Sequence, residues 1–274
     1  MRRVWANPVV ILTALILIGT GSTLVVFSRW HTTSSRRSLP VPSSTRVIQR
    51  QVRFANASFA SWALLDWRTG AMTGSSTMAD LGDTMSLVKA WIAADFLREQ
   101  PAVPDRAVLQ RLSIMIRDSD NEVATEFHHL NGEQLSIDRM ISICRLTESH
   151  AGNRTYRWSD TVMSARDVAR LGGCLADGRG AGRWTQWLLT QMRGVRGEGD
   201  FGPRKAFPAE VAAKIAIKNG WFDRPEDGQW HFACLAVSDR WSLGILLRYP
   251  EKLGDDHGRV LCQSVAAQLS DVLS

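Results

Sequence analysis

Apolar and polar positions follow four regimes along the chain. From Pro8 to Phe27 no residue is charged, and Arg2 and Arg3 precede the run. Twenty residues in a helix rise about 30 Å, the thickness of a bilayer's hydrocarbon core. No small-x-small cleavage site is evident, and no Cys follows to accept a lipid. Residues 1–28 are therefore expected to be a cytoplasmic end and an uncleaved transmembrane signal anchor. Residues 29–46 include HTTSSRRSLPVPSSTR, which has almost no apolar periodicity and reads as a flexible tether. From Val47 to Ser274 the pattern is that of a globular domain.

Within that domain, FASWALLDW (59–67) reads as a strand and Arg68-Thr69-Gly70 as the turn into a second. LVKAWIAADFL (87–97) has the apolar spacing of a helix, which stops before Pro101. Helices are expected over 108–116 and 122–130, on either side of Asp118-Ser119-Asp120-Asn121, and again over 134–143 and 164–176. The last third turns to strands, VAAKIAI (211–217), QWHFACLAV (229–237) and WSLGILLR (241–248), and closes with an amphipathic helix over 258–273. Early strands, a helical middle and late strands predict an α+β fold: an antiparallel sheet built from both chain ends and flanked by helices, plus an all-helical lobe.

Composition refines this picture little. Hydrophobic residues at 45% and charged residues at 22% suit an ordinary globular protein. The net charge is +6, yet the basic residues are scattered and do not interleave with aromatics, so nucleic acid is not an expected partner. A diffuse positive field suits an anionic wall or lipid surface. Arg29, Arg36 and Arg37 after the apolar run nearly balance Arg2 and Arg3, so charge does not set the orientation. Cys144, Cys174, Cys234 and Cys262 allow three pairings or none, and their wide spacing is not that of a zinc site. His128 and His129 are adjacent on a helix and point apart, so no metal or other cofactor is expected. The eleven Trp are expected mostly in the core and in cleft walls.

The cations are nearly all Arg; the lysines are Lys89, Lys205, Lys214, Lys218 and Lys252. Only Lys can release its proton on burial. In Ser86-Leu87-Val88-Lys89 the hydroxyl and the amine are one helical turn apart and share a face. A Ser hydroxyl needs a base, and a desolvated Lys can serve; an exposed helix start is the bland alternative. Ser119-Asp120-Asn121 offers a second hydroxyl for proton relay and an amide for substrate, or else merely an N-cap. Lys218-Asn219-Gly220, at the end of an expected strand, offers a cation for a carboxylate and a Gly for close backbone approach, or else an ordinary turn.

Taken in order, Ser-x-x-Lys at a helix start, Ser-Asp-Asn between helices and Lys-x-Gly on a late strand resemble the serine β-lactamase and penicillin-binding protein superfamily, and within it the class A β-lactamase group. FASWALLDWRTG resembles that fold's opening hairpin, LSIMIRDSDNEVATEFHHLNG its Ser-Asp-Asn segment, and RWSDTVMSARDVARL the exit from its omega loop. The resemblance spans residues 47–274. It implies Ser86 as nucleophile, Lys89 as general base or proton shuttle, Ser119 as proton relay to the leaving nitrogen, and Lys218 as the cation assisting it. It also implies Asn121, Asn219, Gly220 and Trp221 as substrate-binding, with the N–H groups of Ser86 and Trp221 as the oxyanion hole. The implied substrate is a β-lactam or a D-alanyl-D-alanine peptide of peptidoglycan, met outside the cell membrane. Asn219 stands where a hydroxyl residue is usual, Trp221 where a small one is common, and the interval from Lys89 to Ser119 is short. Glu148 falls near the position of the deacylating Glu, without the surrounding Glu-Pro-x-Leu-Asn run. Three activities are thus implied: a penicillin-binding or DD-peptidase type, a degenerate peptidoglycan-binding scaffold, and a true class A-like β-lactamase.

Overall fold

Early and late segments of the chain meet in one sheet. β2 (Phe59–Asp66) pairs antiparallel with β8 (Trp241–Pro250) from Phe59↔Arg248 to Asp66↔Trp241. The computed structural model describes residues 47–49 and 51–273, all within one compact unit. The remaining strands are β1 (Val47–Gln49), β3 (Met72–Gly74), β6 (Ala216–Arg224) and β7 (Gln229–Val237), giving the order β1-β3-β2-β8-β7-β6. All pairings are antiparallel except β1 with β3. A separate two-stranded ladder joins β4 (Leu81–Asp83) to β5 (Val162–Ser164).

Helices cover both faces of the sheet. The alternation of side chains along a strand sends Ser242 and Gly244 of β8 to one face and Tyr249 to the other. On the first face lies α5 (Ala165–Ala176): a Cβ on Gly244 would meet Ala165 O at 2.5 Å, and one on Gly172 would meet Ser242 Cβ at 2.7 Å. On the second lies α8 (Asp255–Gln268), where Gly258 packs on Phe232 and its N–H donates to the Tyr249 hydroxyl (3.0 Å). The helical lobe comprises α1 (Lys89–Arg98), α2 (Arg106–Arg117), α3 (Asn121–Leu130), α4 (Gln134–Cys144) and α6 (Thr185–Arg193). Two short helices, α7 (Ala209–Ala212) and α9 (Ser270–Leu273), complete the set. Two disulfides settle the cysteine question: Cys144–Cys174 ties α4 to α5, and Cys234–Cys262 ties β7 to α8.

Two expectations need correction. The strand placed over 211–217 is instead the helix α7 followed by β6 from Ala216. Pro208 suits the entry to a helix and the Ala-rich stretch favours one, so Lys218-Asn219-Gly220 lies inside a strand and not at its end. Helix α6 was not expected, although Leu188, Leu189 and Met192 carry its buried stripe at helical spacing. The expected anchor and tether lie outside the described residues. Among the described residues no helix is long and apolar enough to cross a membrane.

Candidate active site

Helix α1 is apolar almost all round and runs through the middle of the helical lobe, so nearly every one of its side chains is buried. Lys89 opens this helix, and burial follows from its place in it. Ahead of it, Met85–Val88 forms a 3-10 turn that holds Ser86 half-buried. Met85 sits at φ +43°, a conformation that costs a non-glycine residue energy. The turn is fixed on two sides. Thr84 N–H and Oγ1 both donate to Thr161 O (2.9 and 3.0 Å). Opposite, β6 passes so close that a Cβ on Gly220 would lie 2.3 Å from Thr84 O and 2.6 Å from Ser86 N. The close backbone approach expected of Gly220 is therefore to the protein's own Ser86 turn, not to a ligand.

Between α2 and α3 the Ser-Asp-Asn segment divides its labour. Asp120 is the N-cap of α3 and accepts from Val123 N–H (2.8 Å). Its neighbours turn to Lys89. Lys89 Nζ donates to Ser119 O (2.6 Å), Asn121 Oδ1 (2.6 Å) and Ser119 Oγ (3.3 Å). Ser119 reaches this position at φ +61°, a second strained non-glycine residue at the site. From β6, Lys218 Nζ donates to the same Ser119 Oγ at 2.8 Å. One hydroxyl thus bridges two buried lysine amines. Burial pushes Lys89 down to about 7, against the pull of the Asp120 carboxylate. Lys218 is held well below its ordinary value by burial and by the charge of Lys89, opposed by Asp118.

Two cavities adjoin Ser86, and Ser86, Asn121 and Trp221 line both. The first, about 440 Å³, also has Tyr156, Trp158, Phe222, Arg157 and Arg224 in its walls. The second, about 350 Å³, is bounded by Ser119, Asp118, Arg196 and Glu198. Asp118 is forked by Arg196 (2.6 and 2.9 Å), which holds its carboxyl below the usual range. Trp221 stands edge-on to Phe201, 5.3 Å between centroids, with the Arg259 guanidinium 5.3 Å from its ring.

Two candidate residues lie elsewhere. Asn219 is fully buried on the far side of β6, where its Nδ2 donates to Gly199 O (3.1 Å) and Phe201 O (2.9 Å). Its amide is committed to these carbonyls, and it lines neither cavity at Ser86. Glu148 is ion-paired with Arg166 and accepts from Ser164 Oγ (2.9 Å), which holds its carboxyl below its ordinary value despite partial burial. Its backbone N–H, with those of Thr147 and Ser149, is gathered by the Asp167 carboxylate at the start of α5. It lines neither cavity at Ser86. The deacylating role drawn from its place in the sequence is not supported by this geometry.

Trp158 is the site residue that sequence reasoning missed. Its ring lies 4.5 Å from Lys89 Nζ, and its Nε1–H donates to Thr125 Oγ1 (3.2 Å). The segment before it is held by His128, whose Nε2–H donates to Thr155 O (3.0 Å). The signal was present in RWSDTVMSARDVARL, but an aromatic in a loop reads first as a core residue.

Similarity to solved structures agrees with this arrangement. A class A β-lactamase from Bacteroides cellulosilyticus superposes with a TM-score of 0.63 at 11% identity, over 80% of this chain and 92% of that one. A β-lactamase from Xanthomonas campestris gives 0.61 at 15%, over 80% and 93%. An ancestral class A β-lactamase of Gram-negative bacteria gives 0.59 at 15%, over 79% and 95%. No protein-family model matches the chain, and no curated protein matches it in sequence. The chain has the serine β-lactamase-like fold: an antiparallel sheet flanked by helices, with a helical lobe beside it.

Proposed function

We propose that the chain is a cell-envelope serine acyl-transfer protein of the penicillin-binding, DD-peptidase-like kind. The observation that carries this reading is Ser119 Oγ bridging Lys89 and Lys218 in the wall of the second cavity that Ser86 lines. In this reading Ser86 Oγ attacks a β-lactam or D-alanyl-D-alanine carbonyl while neutral Lys89 takes its proton. Ser119 passes a proton to the departing nitrogen, with Lys218 stabilising the charge that develops. Asn121, which accepts from Lys89 and lines both cavities, positions substrate beside Trp221. The N–H groups of Ser86 and Trp221 serve as the oxyanion hole; Trp221 lies on β6, the edge strand of the sheet.

Deacylation is slow in this reading. Among the described residues no carboxylate lines the cavity on the Trp158 side, and Trp158 covers Lys89 there. A covalent adduct would form and persist, which separates the protein from a fast β-lactamase. The uncharged run 8–27 and the two disulfides support an extracytoplasmic domain anchored to the membrane, facing peptidoglycan.

One observation favours a second reading, a degenerate scaffold that binds peptidoglycan without chemistry. The hydrogen bonds of Lys89 Nζ go to Ser119 and Asn121, and none goes to the Ser86 hydroxyl. Catalytic hydrogen bonds often tighten only in the substrate complex, so covalent labelling decides between the two. A fluorescent penicillin that labels the wild type and not Ser86→Ala supports acyl transfer; no label, with the penicillin left unhydrolysed, supports the scaffold.

A further inference from the structure

The two cavities at Ser86 differ in charge, and the difference bears on the substrate. The second holds Ser119, the proton relay, so the leaving group belongs there and the acyl arm in the first. The walls of the first are aromatic, and its charged residues are Arg157 and Arg224 alone; among the described residues no carboxylate lines it. Neither guanidinium is fully matched from outside. Asp160 lies 3.6 Å from Arg157 Nε but only 2.7 Å from Arg154 Nε, so one carboxylate serves two arginines. Asp83, which bonds Arg224 at 3.0 Å, also takes Nδ1 of His231 at 3.1 Å, and Arg224 Nε is buried with no partner. Two guanidinium groups in the cavity wall, with their carboxylate partners outside it, attract an anion beside low-dielectric aromatic walls more strongly than they would in open water.

We infer that the acyl half of the substrate is a partly apolar arm bearing a carboxylate, held by Arg157 and Arg224 against Tyr156, Trp158 and Phe222. This rests on the acyl-transfer reading and adds to it the chemistry of the arm. Phe222 and Tyr156 are exposed at the rim, where they meet the arm's apolar part before the carboxylate docks.

The test uses three penicillins with a common nucleus and different arms: benzyl, α-carboxybenzyl and α-aminobenzyl. The rate of adduct formation is followed by intact mass on the full chain at low salt. The carboxylated arm is expected to react about fivefold faster than the neutral one, the effect of one partly shielded ion pair, and the amino arm to be slowest. The spread should collapse near 1 M salt. Arg157→Gln should bring the carboxyl-to-benzyl ratio close to one, and Arg157→Glu should invert the order. Equal rates on the wild type, or a spread that neither variant changes, overturn the anionic arm and leave acyl transfer standing. No adduct with any of the three overturns both.

Discussion

The Ser119 hydroxyl lies 2.8 Å from Lys218 Nζ and 3.3 Å from Lys89 Nζ, so two lysines that come 129 residues apart in the chain act on one oxygen. Burial lowers the proton affinity of both amines, and the charge of Lys89 lowers that of Lys218 further. A Lys poised near neutrality can take a proton from Ser86, and Ser119 is the conductor between it and the leaving group.

The pH profile follows from Lys89. Its neutral form is the base, so the acylation rate should rise with pH through a midpoint near 7 and level off above it. Lys89→Arg cannot deprotonate and is expected to lose about 10²- to 10⁴-fold in acylation rate. The measurement is adduct formation from pH 5 to 9; a flat profile would remove Lys89 from the proton path.

Trp158 keeps water from Lys89. Trp158→Ala should move that midpoint upward, because desolvation is the largest influence depressing Lys89 and outweighs the lost ring contact. The same change should cost about 3 kcal/mol of stability, as for other buried aromatics truncated to Ala. Urea titration reads the second effect and the pH profile the first. An unchanged midpoint would mean that the ring does not shield the amine.

Glu148 is tied into structure, away from Ser86. Glu148→Gln should leave the lifetime of the acyl adduct unchanged while lowering stability by about 1–2 kcal/mol, through loss of its charge-assisted bonds with Arg166 and Ser164. An adduct that lasts tenfold longer in the variant would restore Glu148 as the deacylation base.

The disulfides are expected to matter for stability more than for chemistry. Each closes a loop of about 30 residues, Cys144–Cys174 with a separation of 30 and Cys234–Cys262 with 28. Removing either as a Cys→Ala pair should cost about 3–4 kcal/mol, read from urea titration as a lower midpoint with a somewhat steeper slope, because the unlinked unfolded chain exposes more surface.

Much of this site was legible in the sequence because its motifs are local. Ser86 and Lys89 lie one turn apart, and Ser119 and Asn121 flank an N-cap, so spacing alone places each pair. The α+β order was legible for the same reason, since β7 keeps the expected bounds Gln229–Val237. Side-chain direction inside a strand was harder. Moving the strand from 211–217 to Ala216–Arg224 sends Asn219 to the far face and makes Gly220 a spacer against the Ser86 turn. Trp158 and Glu148 depend on how the loop between α4 and β5 crosses the site. That path is set by Asp167, His128 and Thr161, contacts too distant in sequence for a pattern to display.

The most direct measurement is intact-mass spectrometry of the full chain after incubation with penicillins, alongside Ser86→Ala. One adduct per chain is expected, persisting through the experiment and absent from the variant. No adduct on the wild type, with the penicillins recovered unhydrolysed, would contradict acyl transfer at Ser86 and leave a protein that binds without reacting.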